Sequence, residues 1–340
     1  MAKRPRSRKG APGIVDVAAR AGVSPATVSR AFNEPDMVRE PTRLRIRRAA
    51  EDLGYIRDRM AGALLNRFSG TIGLVVPTID NAIFAELIEA FSVGLQDHDR
   101  TMLVASHGYD LGKEVSIIRS LLERRTDGVV LVGLDHEAVS MNMLMQRDVP
   151  VISVWNYRAD SAMPCIGVDN FKAGKLAASR AVQSGYRDIV LLFPDTENND
   201  RARGRLLGAR AELEDHGVNL PKERILRCPY DIGAAKTLMG ALLDSHPPEA
   251  VICGNDIIAQ GAMFAIGKAG MRVPHDIGIV GVGDFRGSEH MEPPLTTVRI
   301  PARRIGEAAA TMIVDMNENG VTPNPHRREM PLVLMDRGSA

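Results

Sequence analysis

The beginning of the chain carries apolar side chains at the spacing of short amphipathic helices. One helical face is formed by Ile14, Val17, Ala18 and Ala21. Gly22 follows at the position of a tight turn, and Ser24 and Pro25 suit the N-cap and the first position of a second helix. The apolar face of that helix consists of Val28, Ala31 and Phe32. Two short helices across a glycine turn predict a helix-turn-helix.

A third helix is predicted for residues 42–53, with Gly54 at its end and Tyr55 packing back onto it. Its apolar stripe consists of Ile46, Ala49, Ala50 and Leu53. The rest of its surface carries Arg43, Arg45, Arg47 and Arg48. A helical hairpin in an ordinary core has the same apolar spacing, but the excess of arginine favours DNA binding.

From Thr71 onward, short β-rich runs alternate with amphipathic helical stretches. The first runs cover residues 72–76, 102–104, 128–132 and 151–154. After a further run at 166–168 the pattern begins again, with runs at 189–193, 250–252 and 277–281. Such alternation is typical of parallel sheets covered by helices, so two similar subdomains of four strands each are expected. Their binding crevice should lie at the carboxyl ends of the strands.

The charge distribution separates the first part of the chain from the rest. Residues 1–70 contain 15 Lys and Arg against 7 Asp and Glu, a net charge of +8, whereas the remainder contains 28 against 35, a net charge of −7. A basic head on an acidic body indicates a polyanionic partner for the head. A solvated basic tail would give the same count, so the charge alone leaves both interpretations open.

The cysteines indicate a reducing compartment, and the hydropathy indicates a protein without a membrane span. The three cysteines are odd in number and far apart, so Cys165, Cys228 and Cys253 are expected to be reduced core residues. The basic start lacks the apolar run of a signal peptide, and no stretch approaches the roughly 18–20 apolar residues of a membrane span. A cytoplasmic protein without a membrane partner, metal or cofactor is therefore expected.

Enzymatic chemistry is not indicated by any motif. The chain lacks a phosphate-binding GxxxxGK loop, a Gly-x-Ser-x-Gly elbow and a His-x-x-x-His pair. Gly281-Val282-Gly283 follows a strand, but the third glycine of a dinucleotide fingerprint is absent from the required spacing. An enzyme on a sugar-binding fold, or a dehydrogenase, is accordingly disfavoured.

A family resemblance rests on Asp16-Val17-Ala18, Ala21-Gly22-Val23-Ser24, Thr27-Val28-Ser29-Arg30, Asn33 and Leu53-Gly54-Tyr55. This run resembles the headpiece of the LacI/GalR family of bacterial transcription regulators. The resemblance implies that bases in the major groove are read by Pro25, Ala26 and Arg30. It implies phosphate contacts by Ser24, Thr27, Ser29, Asn33, Thr42 and Tyr55. Helix capping is the alternative for Ser24 and Thr42, and the sequence departs from the family at Arg39 (usually a capping serine) and Arg57 (usually proline).

Residues 59–65 are similar to the hinge segment of that family, which becomes helical on operator DNA. The resemblance implies that Ala61 and Leu64 enter the minor groove, where Leu64 acts as a wedge at the dyad. The alternative is that Leu64 or Leu65 packs on the next domain. Gly62 lowers the helix propensity of the segment by about 1 kcal/mol relative to alanine, as suits a hinge that orders only on DNA.

The resemblance implies an all-α helix-turn-helix headpiece with a hinge helix, followed by an α/β core of two subdomains like the periplasmic binding proteins. The expected divisions are a basic tail (1–11), the headpiece (12–57), a hinge (58–70) and an effector-binding and dimerisation domain (71–340). Within it, subdomain one comprises about 71–167 and 298–329, and subdomain two about 168–297 and 330–340. The chain is expected to cross between them near Gly167, Thr297 and Glu329.

The expected effector residues follow strands or match family positions: Asn81, Phe84, Trp155, Asn156, Asp169, Arg205, Asn255 and Asp284. Helix capping is the alternative for Asp169 and for Asp256, and Phe84 suits a core or interface equally well. Gly283 and Trp155 stand where the family often has aspartate. The chain thus lacks two acidic residues that the family often has, but it keeps Arg205, which favours a sugar acid as the effector. Some stretches are most similar to the gluconate-repressor branch of the family.

The resulting prediction is a regulator, and more specifically a repressor. It binds a pseudo-palindromic operator as a homodimer and responds allosterically to a sugar or sugar-acid effector. The chain ends without the leucine-heptad tail of tetrameric members, so a dimer is expected. The alternative is a solute-binding protein whose basic N-terminus is incidental. Effector identity, operator sequence and inducer or corepressor logic stay open.

Overall fold

The computed structural model describes residues 11–56, 68–320 and 326–340. The chain divides into two compact units, Met1–Ser69 and Gly70–Ala340. No helix in the described ranges has the length and apolarity needed to cross a membrane.

The first unit contains three helices, α1 (Ile14–Ala21), α2 (Pro25–Asn33) and α3 (Glu40–Leu53). They close around a small core of Val17, Ala18, Ala21, Val28, Ala31, Ile46, Ala49 and Ala50. As predicted, Tyr55 packs back, with its ring centroid 6.2 Å from that of Phe32. Every apolar residue assigned to an inward face is buried or packed against this core, because helical spacing fixes the face.

The helix starts separate the two capping alternatives. Ser24 caps α2, since its Oγ accepts a hydrogen bond from the Thr27 backbone N–H at 3.1 Å. Capping by Thr42 is wrong, because α3 begins earlier than predicted and Thr42 lies inside its first turn. The N-cap position is held by Arg39, whose side chain makes no capping hydrogen bond.

The second unit contains two six-stranded sheets. The first sheet is parallel and consists of β1 (Thr71–Val76), β2 (Thr101–Ser106), β3 (Gly128–Val132), β4 (Val151–Asn156), β5 (Cys165–Val168) and β11 (Arg327–Glu329), in the order β11-β5-β4-β3-β1-β2. It belongs to subdomain one, with α4 (Ala82–Gln96), α5 (Leu111–Glu123), α6 (Ala138–Gln146) and α11 (Ala302–Asn319).

The second sheet consists of β6 (Ile189–Phe193), β7 (Ile225–Arg227), β8 (Ala250–Cys253), β9 (Gly278–Gly283), β10 (Thr296–Arg299) and β12 (Val333–Met335), in the order β12-β10-β9-β8-β6-β7. Its neighbours are parallel except for β12, which runs antiparallel to β10. Subdomain two also holds α7 (Asn170–Gln183), α8 (Asp200–Asp215), α9 (Ile232–Ser245) and α10 (Asp256–Lys268).

The expected count of four strands per sheet is too low. The four unpredicted strands are short: β7, β11 and β12 each span three residues and β10 spans four, too few to show a periodic pattern. β5 contains the run at 166–168 and pairs with β4 in the first sheet, so it lies in subdomain one, which was expected to extend to about residue 167. The chain passes between subdomains after β5, after β10 and between β11 and β12. Thr297 lies inside β10, so the second passage comes a few residues after it.

The central strands of both sheets are buried along their whole length beneath the helices, whereas the edge strands β2 and β11 are largely exposed. The three cysteines are free and buried, as predicted from their number and spacing.

Candidate DNA-binding surface and effector cleft

The exposed face of α2 carries the residues expected to read bases. Pro25, Ala26 and Arg30 are exposed, whereas Val28 and Ala31 face the core. α2 contains no acidic residue, and Arg30 makes no ion pair with any carboxylate in the described residues. Arg30 is therefore the one long hydrogen-bond donor that α2 presents to solvent.

The residues expected at phosphates lie near helix starts or along α2. The Ser24 and Thr27 hydroxyls are 2.8 Å apart at the start of α2, and Asn33 Nδ2 donates to Ser29 Oγ at 3.1 Å. Thr42 lies in the first turn of α3, and Tyr55 is half-buried against the headpiece core. Helix N-termini favour anions, so Ser24, Thr27 and Thr42 lie at positions that suit phosphate. Ala61 and Leu64 lie outside the described residues.

Between the two subdomains lies a small cavity of about 20 Å³, here called the inner cavity. It is lined by Asn81, Ile83, Phe84, Tyr109, Trp155, Arg201, Arg205, Tyr230, Asn255 and Phe285. Several lining residues directly follow strands, where parallel sheets place their binding crevices. Five expected effector residues are among them, and Arg201, Tyr109 and Tyr230 are additions that sequence reasoning missed.

Two aromatic side chains from subdomain one form a wall of the inner cavity. The Phe84 and Trp155 rings lie 4.9 Å apart at 49°, and both are almost fully buried. Trp155 has a φ of 81°, a conformation that bulky residues rarely adopt. Such strain concentrates at functional sites, where surrounding structure holds the residue in place. Trp155 is thus both a buried residue and a cavity wall.

Arg205 reaches the same cavity from α8 in subdomain two. Its side chain is buried, its Nε has no hydrogen-bond partner and its Nη2 donates to the Tyr230 hydroxyl at 3.3 Å. Within the described residues Arg205 forms no ion pair with a carboxylate. A buried guanidinium without a counter-charge is costly, so this arginine provides an anion-binding position.

The position of α8 depends on close packing against α7. A Cβ at Gly174 would lie 1.9 Å from the Arg205 carbonyl oxygen, and one at Gly208 would lie 1.9 Å from the Phe171 carbonyl oxygen. Because both approaches exclude any side chain, these two glycines bring the helices together and fix the backbone from which Arg205 extends.

The start of α8 is bonded to subdomain one at the end of β3. Asp200 Oδ2 accepts from the Leu134 backbone N–H at 2.7 Å and from Asn156 Nδ2 at 2.6 Å. Arg201 Nη1 donates to the Val132 carbonyl at 3.1 Å and contacts Asp200 Oδ1 at 2.8 Å. These contacts join the two subdomains beside the inner cavity.

A half-buried ion pair reinforces this junction. Arg203 Nη2 contacts both carboxylate oxygens of Asp135, at 2.7 and 2.9 Å. Asp135 and Arg203 line a second cavity of about 300 Å³, together with Asn156, Asp169 and Asp200. Neither Asp135 nor Arg203 lines the inner cavity.

A tyrosine pair separates the inner cavity from a larger outer cavity. Tyr109 and Tyr230 come from different subdomains, their ring centroids are 5.5 Å apart, and both line both cavities. Burial raises the pKa of Tyr109 far above its usual range, so its hydroxyl stays protonated. The outer cavity has a volume of about 580 Å³ and carries Asp80, Asp195 and Glu197 in its lining. That volume suits a small ligand.

Both compact units of the chain match models of known protein families. The sugar-binding domain model of the LacI family, shared with periplasmic binding proteins, matches residues 69–334, and the model of bacterial regulatory proteins of the lacI family matches residues 13–58. The chain belongs to the LacI family. As a LacI-family protein it is a DNA-binding regulator with a ligand-binding core.

Individual relatives agree with this membership. The HTH-type transcriptional repressor PurR of Pectobacterium atrosepticum is 30% identical over 305 residues, which cover 89% of each chain. The transcription regulator GntR from Chromobacterium violaceum is 28% identical, with a TM-score of 0.74 over 79% of this chain and 98% of that one. A transcriptional regulator CelR–cellobiose complex is 28% identical, with a TM-score of 0.70 over 97% and 100%.

The remaining effector predictions for this LacI-family protein lie outside the inner cavity. Asn156 bonds Asp200, and Asp169 caps α7 by accepting from the Phe171 and Lys172 backbone N–H groups. Both line the second cavity. Asp284 lines none of the three cavities, and its oxygens contact Arg299 Nε at 2.5 Å and Arg337 Nη1 at 2.7 Å. Its role in effector binding rests on the sequence alone.

Capping explains the Asn-Asp pair at α10 only in part. Asn255, not Asp256, is the N-cap, since its Oδ1 accepts from Ile258 N–H at 3.0 Å. Asp256 is fully buried and instead accepts from the Thr297 hydroxyl, the Ser288 hydroxyl and the Phe285 backbone N–H. Burial raises its pKa despite these donors. Asp256 therefore holds the loop that carries Phe285 into the inner cavity.

Proposed function

We propose that this LacI-family protein is a cytoplasmic transcriptional repressor that binds a pseudo-palindromic operator as a homodimer and is controlled by a sugar acid. The repressor role is supported by the relative named as a repressor, and the dimer by family membership. Operator recognition is assigned to Pro25, Ala26 and Arg30, with Ala61 and Leu64 in the minor groove. The protein performs no catalysis in this proposal.

The effector class is inferred from the environment of Arg205. Its guanidinium is buried at the inner cavity without a carboxylate partner in the described residues, so a ligand carboxylate would complete it. Phe84 and Trp155 offer apolar faces to a sugar backbone, and the Asn81 and Asn255 side chains add polar groups. The inner cavity alone, at about 20 Å³, is too small for a sugar acid, so the ligand would span it and the outer cavity of about 580 Å³, which shares Asn81, Tyr109 and Tyr230 with it. An anionic polyol in that position would offer partners to all of these groups.

A neutral sugar is the second candidate, because the CelR relative is described in complex with cellobiose. Aromatic walls and polar amides bind neutral sugars as well as acids. The two candidates differ in the group that they offer to Arg205. A sugar acid offers a carboxylate, whereas a neutral sugar offers only hydroxyl groups and leaves the positive charge of Arg205 without compensation.

Calorimetric titration separates them. Gluconate, related sugar acids and matched neutral polyols would be titrated into the full-length protein, and we expect an acid to bind at least about tenfold more tightly than its neutral analogue, as one charged hydrogen bond implies. Arg205→Gln should remove this preference. Binding of neutral sugars alone would refute the proposed effector class.

DNA binding is tested separately on operator fragments over a range of salt concentrations. Phosphate contacts release counterions, so log affinity should fall steeply with log salt concentration. Indifference to DNA at low salt would support the solute-binding alternative and reject the regulator.

A further inference from the structure

Two arginines on one face of α8 reach the inner cavity. Arg201 and Arg205 are four residues apart, so they lie one above the other on the helix, and both line the cavity. Their side chains are almost fully buried. Two free guanidinium groups at this spacing would favour a ligand with two negative charges.

Asp200 changes that balance. Its Oδ1 lies 2.8 Å from Arg201 Nη1, and the two side chains are 7% and 5% exposed. Burial alone raises the pKa of the Asp200 carboxyl, but Arg201, Asn156 and the Leu134 backbone N–H outweigh it and hold that pKa below its usual range. The carboxylate is thus charged at neutral pH and compensates Arg201, whereas Arg205 has no such partner.

The other buried carboxyl groups near the cavity have partners within their own subdomains. Asp256 accepts hydrogen bonds from the Thr297 and Ser288 hydroxyls and the Phe285 backbone N–H. Asp284 contacts Arg299 and Arg337. Glu114 contacts His136 Nδ1 at 3.0 Å, with both side chains 2% exposed. Within the described residues, the inner cavity is therefore left with one uncompensated cation.

We infer that Asp200 is a specificity-determining residue, which sets the inner cavity to a ligand with a single negative charge by neutralising Arg201. The inference rests on the proposed function, because it refines which sugar acids bind. It predicts a preference for gluconate, with one carboxylate, over glucarate, which has the same carbon skeleton and two.

The bonding of Asp200 allows its charge and its hydrogen bond to Arg201 to be removed while both inter-subdomain bonds are kept. Both inter-subdomain bonds, from Leu134 and Asn156, go to Oδ2, whereas Oδ1 contacts Arg201. In Asp200→Asn the amide oxygen can take the position of Oδ2 and keep both bonds. The amide nitrogen then faces Arg201, and the arginine loses its counter-charge.

The test compares gluconate and glucarate by calorimetry on the full-length protein. Wild type should prefer gluconate, and Asp200→Asn should shift the ratio of the two affinities towards glucarate by about tenfold, the worth of one charged hydrogen bond. The matched control is Asp135→Asn, which also removes a carboxylate and an inter-subdomain ion pair, but away from the inner cavity. It should change both affinities by the same factor.

A second variant tests the same balance in the opposite direction. Arg201→Gln leaves Asp200 charged, so it should lower the preference for gluconate over the neutral polyol glucitol by about tenfold. The Arg201→Gln titrations test the role of Asp200 if the Asp200→Asn variant fails to show a native thermal transition.

The outcomes separate the two proposals. If wild type binds only neutral ligands, the proposed effector class fails and this inference fails with it. A second outcome is that wild type prefers gluconate, but neither Asp200→Asn nor Arg201→Gln changes its affinity ratio. In that case Asp200 only links the two subdomains, so the inference is overturned while the proposed effector class stands. Tighter binding of glucarate by wild type also overturns it.

Discussion

Arg30 differs from the other exposed residues of α2 in what it can offer a base pair. Pro25 and Ala26 are restricted to apolar contact, for instance with a thymine methyl group, whereas an arginine can donate two parallel hydrogen bonds to a guanine edge. No carboxylate in the described residues pairs with it. Sequence discrimination by α2 therefore depends heavily on one side chain.

Substituting Arg30→Ala should remove most of the sequence preference of the headpiece. A bidentate contact to guanine contributes about 1–3 kcal/mol of discrimination, so specific affinity should fall by that amount while non-specific affinity changes much less. Competition binding with operator and scrambled duplexes measures the difference. Effector titrations on the same variant serve as the control and should match wild type.

At the scale of elements, the loop after β3 fits closely around the start of α8. Gly133 has a φ of 95°, and a Cβ there would lie 2.1 Å from Arg201 Nη1 and 2.8 Å from Asp200 Oδ1. Its carbonyl oxygen accepts from the Ser153 hydroxyl and lies 3.0 Å from His136 Nε2. The loop therefore requires glycine in order to hold the buried ion pair.

Gly133→Ala should lower the free energy of unfolding by about 1–3 kcal/mol, because the added Cβ is strained at this φ and displaces the Arg201 guanidinium. Denaturant titration of the full chain measures it. The matched control is Gly240→Ala, in the middle of α9 with no atom within 4 Å of the added Cβ. That change should stabilise by up to about 1 kcal/mol, since alanine favours helix. Equal changes in the free energy of unfolding for Gly133→Ala and Gly240→Ala would show that the loop after β3 does not require glycine.

The hinge is the second element with a distinct expectation. If Leu64 acts as a wedge between base pairs, Leu64→Ala should weaken operator binding more than non-specific binding, because only the specific complex bends the DNA around the wedge. Fluorescence anisotropy on both kinds of duplex measures this. Leu65→Ala is the neighbouring control, and identical losses from both substitutions would favour packing on the adjacent domain instead.

For the whole molecule, the effector cavity and the operator surface belong to different compact units of one chain. Their communication is a coupling free energy, and linkage makes it reciprocal. The factor by which the effector changes operator affinity must equal the factor by which operator DNA changes effector affinity.

We expect this coupling factor to lie between about 5 and 150, the usual range for such proteins. Operator titrations with and without the effector, and effector titrations with and without operator, give the two factors independently. Asp135→Asn, which breaks an ion pair between the subdomains, should change the coupling while leaving the order of ligand preference intact. A factor of one in both experiments would show that the ligand does not regulate DNA binding.

The sequence by itself determined the headpiece and the general position of the cleft. In the headpiece the decisive contacts join residues three or four positions apart, so Val17, Val28 and Ile46 could be assigned to the core from spacing alone. Trp155 and Asn255 were expected at the crevice because they lie at or after the carboxyl ends of parallel strands, and Arg205 because it matches a family position; all three line the inner cavity.

The charge balance of that cavity was decided by the tertiary structure alone. Arg201 meets Val132 across 69 residues, and Tyr109 meets Tyr230 from the opposite subdomain. No periodicity records such contacts, because each arises where two separately folded layers face each other. The sequence located an arginine for the ligand at Arg205. The assembled cleft showed that the neighbouring Arg201 is already neutralised by Asp200 while Arg205 is not.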